Sequence, residues 1–255
     1  MSGNRLESNR FFLKDTIRQQ VDFSQTDQSR GLPAPPLQKP CQENLPRIDL
    51  PAGRDLISKY GGLGVGEAIR RRTSLRRYSE KPLAIEELSF LLWAAQGVRR
   101  VLNSDTALRT VPSAGARHAF ETYLAVTRVE PLAPGLYRYL PFDNQLACLY
   151  EDNDIGGKAA AACMDQDFVA KAAVTFFWTA VPARTEWRYG EAAHKVIAID
   201  AGHVCQNLYL ACESIGTGTC AIAAYDQERC DRLLGADGED EFTIYIAAVG
   251  KKRGG

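Results

Sequence analysis

The chain has 255 residues, 45% of them hydrophobic, and its 31 Lys plus Arg are balanced by 31 Asp plus Glu. That length and apolar content suffice for one large core with an attachment, and the lack of a basic surplus argues against a dedicated nucleic-acid or membrane-surface protein. No apolar run approaches the roughly 20 residues of a bilayer span, and the start MSGNRLESNRFFLKDTI lacks a signal-peptide core, so a soluble protein of the cytoplasm is expected.

Texture divides the chain near residue 52. The stretch SRGLPAPPLQKPCQENLPRIDLP repeats proline, which forbids regular helix and favours an extended arm lying on another surface. Residues 1–52 are therefore expected to be an N-terminal proline-rich arm, and residues 53–255 the globular domain. The glycines of DLISKYGGLGVGEAIRRR do not make a dinucleotide fingerprint, because the position after Gly64 and Gly66 that needs glycine is Ile69 and no apolar strand precedes. A loop and a short helix are expected there.

After Pro82, AIEELSFLLWAAQG carries Leu88, Leu91, Leu92 and Ala95 at helical spacing and stops at Gly97. Glu121 to Val129 reads as a strand, and GLYRYLPFDNQLACLYE as a hairpin turning at Phe142, Asp143 and Asn144. Ala173 to Val181 is a continuous apolar run of strand length, expected at the centre of a sheet, and FTIYIAAVG closes the domain in the same way. Between them, AHKVIAIDAGHVCQNLYLACESIG places Ile197, Ala201, Cys205, Leu208, Cys212 and Ile215 at steps of three and four beside a second apolar stripe. Such a helix is expected to be buried on two sides, within a subunit or between subunits. Strands and helices mix without strict alternation, which predicts an α+β sandwich around a mainly antiparallel sheet.

The seven cysteines include no C-x-x-C pair, and His203 and Cys205 point to different faces of a helix. Buried, reduced thiols and no metal site are expected.

The local feature that needs explaining is RRRTSLRRY, Arg70 to Tyr78, with five arginines around Thr73 and Ser74. A solvated basic face is one reading. The interleaving of Arg72, Ser74 and Arg76 offers instead forked cations, a hydroxyl and backbone donors together, as a phosphate monoester demands. In an extended segment these three project to one side, so Arg71 and Arg77 are expected to face elsewhere.

RTSLRRY resembles the R-x-S-x-R/K-x-F/Y opening of the nitroreductase family of FMN flavoproteins. RTVPSAGARHAFETYL (Arg109 to Leu124) resembles the family's P-S-rich loop in the P-S-A-G-A-R form of its SagB-type branch, and ESIGTGTCAIAAYD (Glu213 to Asp226) the loop after its long central helix. GLYRY, WRYGE and DAGHVCQNLYL are also similar to the SagB-type branch, and the likeness runs from about Glu67 to Gly250.

The resemblance implies the nitroreductase sandwich, a homodimer with FMN at the interface, and NAD(P)H as reductant. It matches Arg72 and Ser74 to positions that hold the FMN phosphate and ribityl end, and Arg76 to a cation near flavin N1 and O2, where fixed positive charge stabilises the anionic reduced ring. Pro112 and Ser113 match a loop that reaches FMN from the partner subunit; the position often filled by Asn is Ala116 here, which leaves Arg117 for any polar contact. Ala223 and Ala224 match the pair whose N–H groups face N5 and O4. Lys251 and Arg253 match basic residues that complete the phosphate site, Gln166 is a candidate donor to the pyrimidine, and Arg188 and Tyr189 match the Lys-Tyr pair used near substrate by azoline-oxidising SagB relatives. Arg for Lys matters, since a guanidinium is a poor general base. Other readings stay open: Ser113 as a turn former, Lys251 and Arg253 as a frayed tail, Tyr189 as packing.

Three functions follow: an FMN oxidoreductase passing hydride from NAD(P)H through flavin N5 to a nitroaromatic, quinone or similar small molecule; a SagB-type dehydrogenase oxidising azolines in a modified peptide; or a non-enzymatic flavin-binding module.

Overall fold

The computed structural model describes residues 2–254. Seven strands form one sheet: β1 (Arg47–Asp49), β2 (Phe120–Val126), β3 (Gly135–Leu140), β4 (Gln145–Glu151), β5 (Val174–Ala180), β6 (Thr217–Ile222) and β7 (Phe242–Lys251). Their spatial order is β1-β4-β3-β2-β5-β7-β6, and every neighbouring pair is antiparallel. The helices include α1 (Ser2–Leu13), α2 (Val65–Arg71), α3 (Ile85–Gln96), α4 (Ile155–Ala162), α5 (Ala183–Tyr189), α6 (Ala193–Ser214) and α7 (Gln227–Leu234).

The apolar runs are continuous because helices cover both faces of the sheet. Along β5, Phe176 and Trp178 join Leu88, Leu92, Ile197 and Leu208 of α3 and α6, whereas Phe177 between them joins Ile155, Ala159 and Leu234 of α4 and α7. Leu124 and Tyr123 of β2, and Ala247 and Ile246 of β7, divide in the same way. Successive residues of a strand point to opposite faces, so a strand with no solvent face needs no polar alternation. The fold is α+β, as composition and pattern lead one to expect.

Helix α6 is wrapped inside the chain by α2, α3, α5 and β6. Its exposed side is a narrow line through Ile199, Gly202, His203 and Gln206, with Ile199 49% exposed.

Two places depart from the expected elements. The sequence division at residue 52 separates β1 from its sheet, although Arg47–Asp49 pairs with Gln145–Ala147 of β4. Helix α1 and a second helix at Thr16–Gln20 precede the prolines, and a hairpin of Val98–Asn103 with Thr106–Arg109 follows Gly97. No helix among the described residues is long and apolar enough to cross a membrane. All seven cysteines are free, and the described residues hold no cluster of three or more potential metal ligands.

Candidate functional site

The arginine segment runs along the free edge of β6. Ser74 makes a parallel bridge to Thr219, the Leu75 N–H donates to the Thr219 carbonyl at 2.9 Å, and Tyr78 bridges Lys252. Two glycines permit the approach: a Cβ on Gly218 would lie 2.6 Å from Leu75 Cδ2, and one on Gly250 2.6 Å from Tyr78 Cγ. Buried Tyr78 pins the segment, its hydroxyl lying 2.8 and 2.9 Å from the Leu75 and Ala248 carbonyls; burial pushes its phenol well above the ordinary range.

Within this frame Arg72 and Ser74 meet at Tyr209 of α6. The Arg72 guanidinium lies 5.2 Å from the centre of the Tyr209 ring, and the Tyr209 hydroxyl lies 3.0 Å from Ser74 Oγ. The Ala221 N–H donates to the same tyrosine oxygen at 2.9 Å. Tyr209 Oη accepts from Ala221 and shares with Ser74 a bond in which either hydroxyl can donate; with Tyr209 as donor, the serine proton is free for a ligand oxygen.

Beside this cluster is a cavity of 430 Å³ lined by Arg76, Arg77, Tyr78, Gln166, Phe168, Lys171 and Arg253, with Asp167 its one acidic group. The Arg76 guanidinium lies 5.8 Å from the Phe168 ring centre, and Arg253 Nε donates to the Tyr78 carbonyl at 2.8 Å. Arg77 lines the cavity beside Arg76, contrary to strict alternation, whereas Arg71 does face away and pairs with Glu67 of its own helix. The segment is held by isolated bridges at Ser74 and Tyr78 rather than by a continuous ladder, so side-chain alternation is not enforced at Arg76 and Arg77.

Gln166 also differs from its expected role. Its Nε2 donates to the Cys163 and Ala224 carbonyls at 2.8 and 2.9 Å, so both amide hydrogens are committed and its Oε1 is what remains for a ligand. The same bond ties the Ala223–Ala224 turn to the cavity, and among the described residues no protein acceptor takes either alanine's N–H. Lys251 is turned elsewhere: its ammonium pairs with Glu87 of α3, while Lys252 pairs with Glu213 at 2.6 Å.

Pro112, Ser113 and Arg117 lie apart from this cavity. The Ser113 hydroxyl accepts the His118 N–H at 2.9 Å, and the Ala114 N–H donates to Asp200 of α6 at 3.0 Å. Burial raises the Asp200 carboxyl, while its bonds from Ser113 and Ala114 act in the opposite direction. Gly115, Ala116 and His118 all have positive φ, at 58°, 54° and 46°. Glycine adopts that region freely and Asn tolerates it, so Ala116 holds a strained position. Gly115 has a second duty: a Cβ there would lie 2.7 Å from both Arg188 Cδ and Tyr189 Oη. Arg117 stacks 4.9 Å from the centre of the Trp187 ring, and its guanidinium bonds to the Asp105 carbonyl. Pro112–Arg117 and Arg188–Tyr189 thus form a second cluster.

Asp200 and Tyr209, the α6 residues that anchor the two clusters, are roughly half a turn apart around the helix and about 14 Å apart along it. The two clusters thus lie on opposite sides of one helix.

The nitroreductase family model matches residues 69–251. The chain belongs to that family. It is an oxidoreductase by membership. Over 186 residues it is 32% identical to a Methanocaldococcus jannaschii protein named "Putative nitroreductase MJ1384", covering 73% of this chain and 90% of that protein. Two crystal structures of nitroreductases bearing the same qualifier superpose with TM-score 0.66 each. The one from Ralstonia eutropha is 26% identical and covers 88% of this chain and 100% of its own. The one from Anabaena variabilis is 25% identical and covers 83% of this chain, which spans only 42% of that longer protein. A chain of the E. coli microcin synthetase McbBCD complex with truncated pro-MccB17 bound shares the fold at 15% identity and TM-score 0.60, over 94% of this chain and 98% of that one.

Tyr209, Asp200, Phe168 and Lys171 escape sequence reasoning. A tyrosine on an apolar helical stripe does carry a signal, since a buried phenol needs a partner for its hydroxyl.

Proposed function

We propose that this nitroreductase binds FMN and transfers hydride equivalents from NAD(P)H to a small acceptor such as a quinone or nitroaromatic. One observation carries the reading: an Arg72–Ser74–Tyr209 cluster stands beside a cavity with four cations and a single carboxylate. That donor set fits a flavin mononucleotide, with a forked cation and free hydroxyl for its phosphate end and further cations for the anionic reduced ring. When bound, the flavin would supply the hydride-accepting and hydride-donating atom.

The chain's own residues then have separable tasks. Arg72 and Ser74 bind the phosphate end, and Tyr209 aims the serine hydroxyl. Arg76 holds positive charge at the pyrimidine edge, with Phe168 beneath its guanidinium limiting its movement. Gln166 offers an acceptor oxygen and fixes the Ala223–Ala224 turn, whose small side chains let two N–H groups approach the ligand. Pro112–Arg117 complete the flavin site from a second subunit, so that each homodimer carries two sites. Arg188 and Tyr189 lie on the substrate side, where Tyr189 can hold or pass a proton and Arg188 can orient an anionic group. The protein works in the cytoplasm, where reduced nicotinamide is supplied.

The test is anaerobic mixing of the FMN-loaded protein with NADH and with NADPH, then an acceptor screen. Bleaching of the yellow colour followed by recovery with menadione supports the reading; a protein that retains FMN but is not bleached by either nucleotide refutes it.

A second reading, oxidation of azoline rings in a modified peptide, is favoured by Arg188 and Tyr189 packing over the Gly115 loop in a SagB-like segment. Flavin bleaching by an azoline peptide, in the absence of nicotinamide, distinguishes it.

A further inference from the structure

The proline-rich arm is gripped by its main chain. Trp187 Nε1 donates to the Leu32 carbonyl at 2.9 Å, Arg184 Nε to Pro36 at 2.8 Å and Arg109 Nη2 to Leu37 at 3.0 Å. Arg138 Nη2 reaches both Lys39 and Pro40, at 3.1 and 3.0 Å. The three arginines are 3–5% exposed. In return the arm satisfies buried carboxylates: the Lys39 N–H donates to Glu121 at 2.8 Å, and its ammonium pairs with Glu241. Proline has no backbone N–H to satisfy here, and the carbonyls of Pro36, Leu37, Lys39 and Pro40 supply acceptors for the body's buried guanidinium groups.

The grip converges on α5. Arg184 and Trp187 both belong to that helix, and the Gln28 N–H donates back to the Trp187 carbonyl at 2.8 Å. Beyond its end, Gly190 lies under Val21 and Thr26. The helix has seven residues, starts at Pro182 with no side-chain cap, and ends at Gly190 with φ 51°. A helix so short has no stable position of its own, and tertiary contacts must set it. Those contacts come from α6, from the pairing of Arg184 with Glu121 of β2, from the Gly115 loop under Arg188 and Tyr189, and from the arm, which alone holds Trp187 at both its ring N–H and its carbonyl.

We infer that residues 26–40 are a strap that positions α5, with Trp187 and Arg184 as its positioning residues, and so sets where Arg188 and Tyr189 stand on the substrate side. The inference rests on the assignment of those two residues made above. The strap belongs to the active site mechanically, although none of its residues touches the cavity at Arg76.

Trp187→Phe tests it by removing one N–H donor while keeping a ring for Arg117. Amide exchange in the full-length, FMN-loaded protein is expected to quicken about fivefold over both Gln28–Leu32 and Arg184–Tyr189. FMN content and flavin potential should stay at the parent values. With menadione as acceptor, KM should rise severalfold while kcat changes less than twofold, a split that general destabilisation does not produce. Arg184→Lys keeps charge against Glu121 but loses the reach to Pro36, and should move the same readouts further; if it fails to fold, Trp187→Phe decides. A strap that loosens without α5, or an α5 that loosens with KM unmoved, overturns the inference. Exchange is read without turnover, so failure of the strap and failure of the flavin assignment give different results.

Discussion

Replacing Tyr209 by Phe should cost FMN affinity although Tyr209 is not itself expected to contact FMN. The substitution removes one oxygen that bonds Ser74 Oγ at 3.0 Å and accepts the Ala221 N–H at 2.9 Å, and it keeps the ring under Arg72. Each neutral hydrogen bond is worth about 0.5–1.5 kcal/mol net, and an orphaned N–H costs somewhat more. The Ala221 share falls on folding and should lower the apo-protein Tm by roughly 2–4 °C. The Ser74 share falls on the ligand, because the serine proton is then free to turn toward protein or solvent. A loss of about 1 kcal/mol there corresponds to roughly fivefold in Kd. Titrating apo-protein with FMN and following flavin fluorescence gives the affinity, and calorimetry gives Tm. Tyr209→Leu also removes the ring under Arg72 and should bind more weakly still. An unchanged Kd with a lowered Tm would show that the serine's orientation is irrelevant to the ligand; a Leu variant no worse than Phe would show that the Arg72 stacking is.

Arg72→Ala should weaken FMN binding tenfold or more, since a charge-assisted forked contact is worth about 1.5–3 kcal/mol, and equal flavin retention would refute its role. Arg76→Gln should leave FMN bound but lower the flavin potential; about 1.4 kcal/mol lost from the reduced state is about 30 mV for a two-electron couple. Arg71→Gln is the control, because Arg71 pairs with Glu67 and faces away, and an equal shift there would void the Arg76 assignment. Light scattering of dilute, FMN-loaded protein should give about twice 28.1 kDa, and a monomer that holds flavin would refute the shared site. Burial, with Arg109 and Arg117 nearby, pushes the His118 imidazole down to about 3. Below its ordinary pKa of 6.5 the unfolded chain takes up a proton that the folded one refuses, so stability falls with pH from about 6.5 toward 3, by up to roughly 1.4 kcal/mol per unit. His118→Asn, which tolerates the 46° φ, should flatten the fall in Tm between pH 7 and 5; an unchanged slope would place its origin elsewhere.

Local pattern made the sheet and its covering helices legible. The run around Phe176–Trp178 is apolar at every position because two helical layers need it, and the Leu88–Ala95 spacing has one reading. That Arg72 and Ser74 would come together was legible because RTSLRRY combines cations and a hydroxyl within a few residues. What joins distant chain was not. Nothing in PAPPLQKP announces that Arg109, Arg138 and Arg184 will grip its carbonyls, since main-chain acceptors leave no trace in residue identity. The committed amide of Gln166, the pairing of Lys251 with Glu87 and the placing of Arg77 in the cavity depend on partners fixed only by the fold.

Strand β6 lies at the edge of the sheet, and an uncovered edge offers a row of free N–H and C=O groups to any extended chain nearby. Here the segment carrying Ser74 and Leu75 occupies part of that row. The stretch proposed to hold the FMN phosphate is thus also a guard against cross-strand aggregation. Substitutions that peel it from β6 will be seen first as lost soluble yield, before any assay of turnover is reached, and a library screened on activity alone will count such failures as catalytic ones.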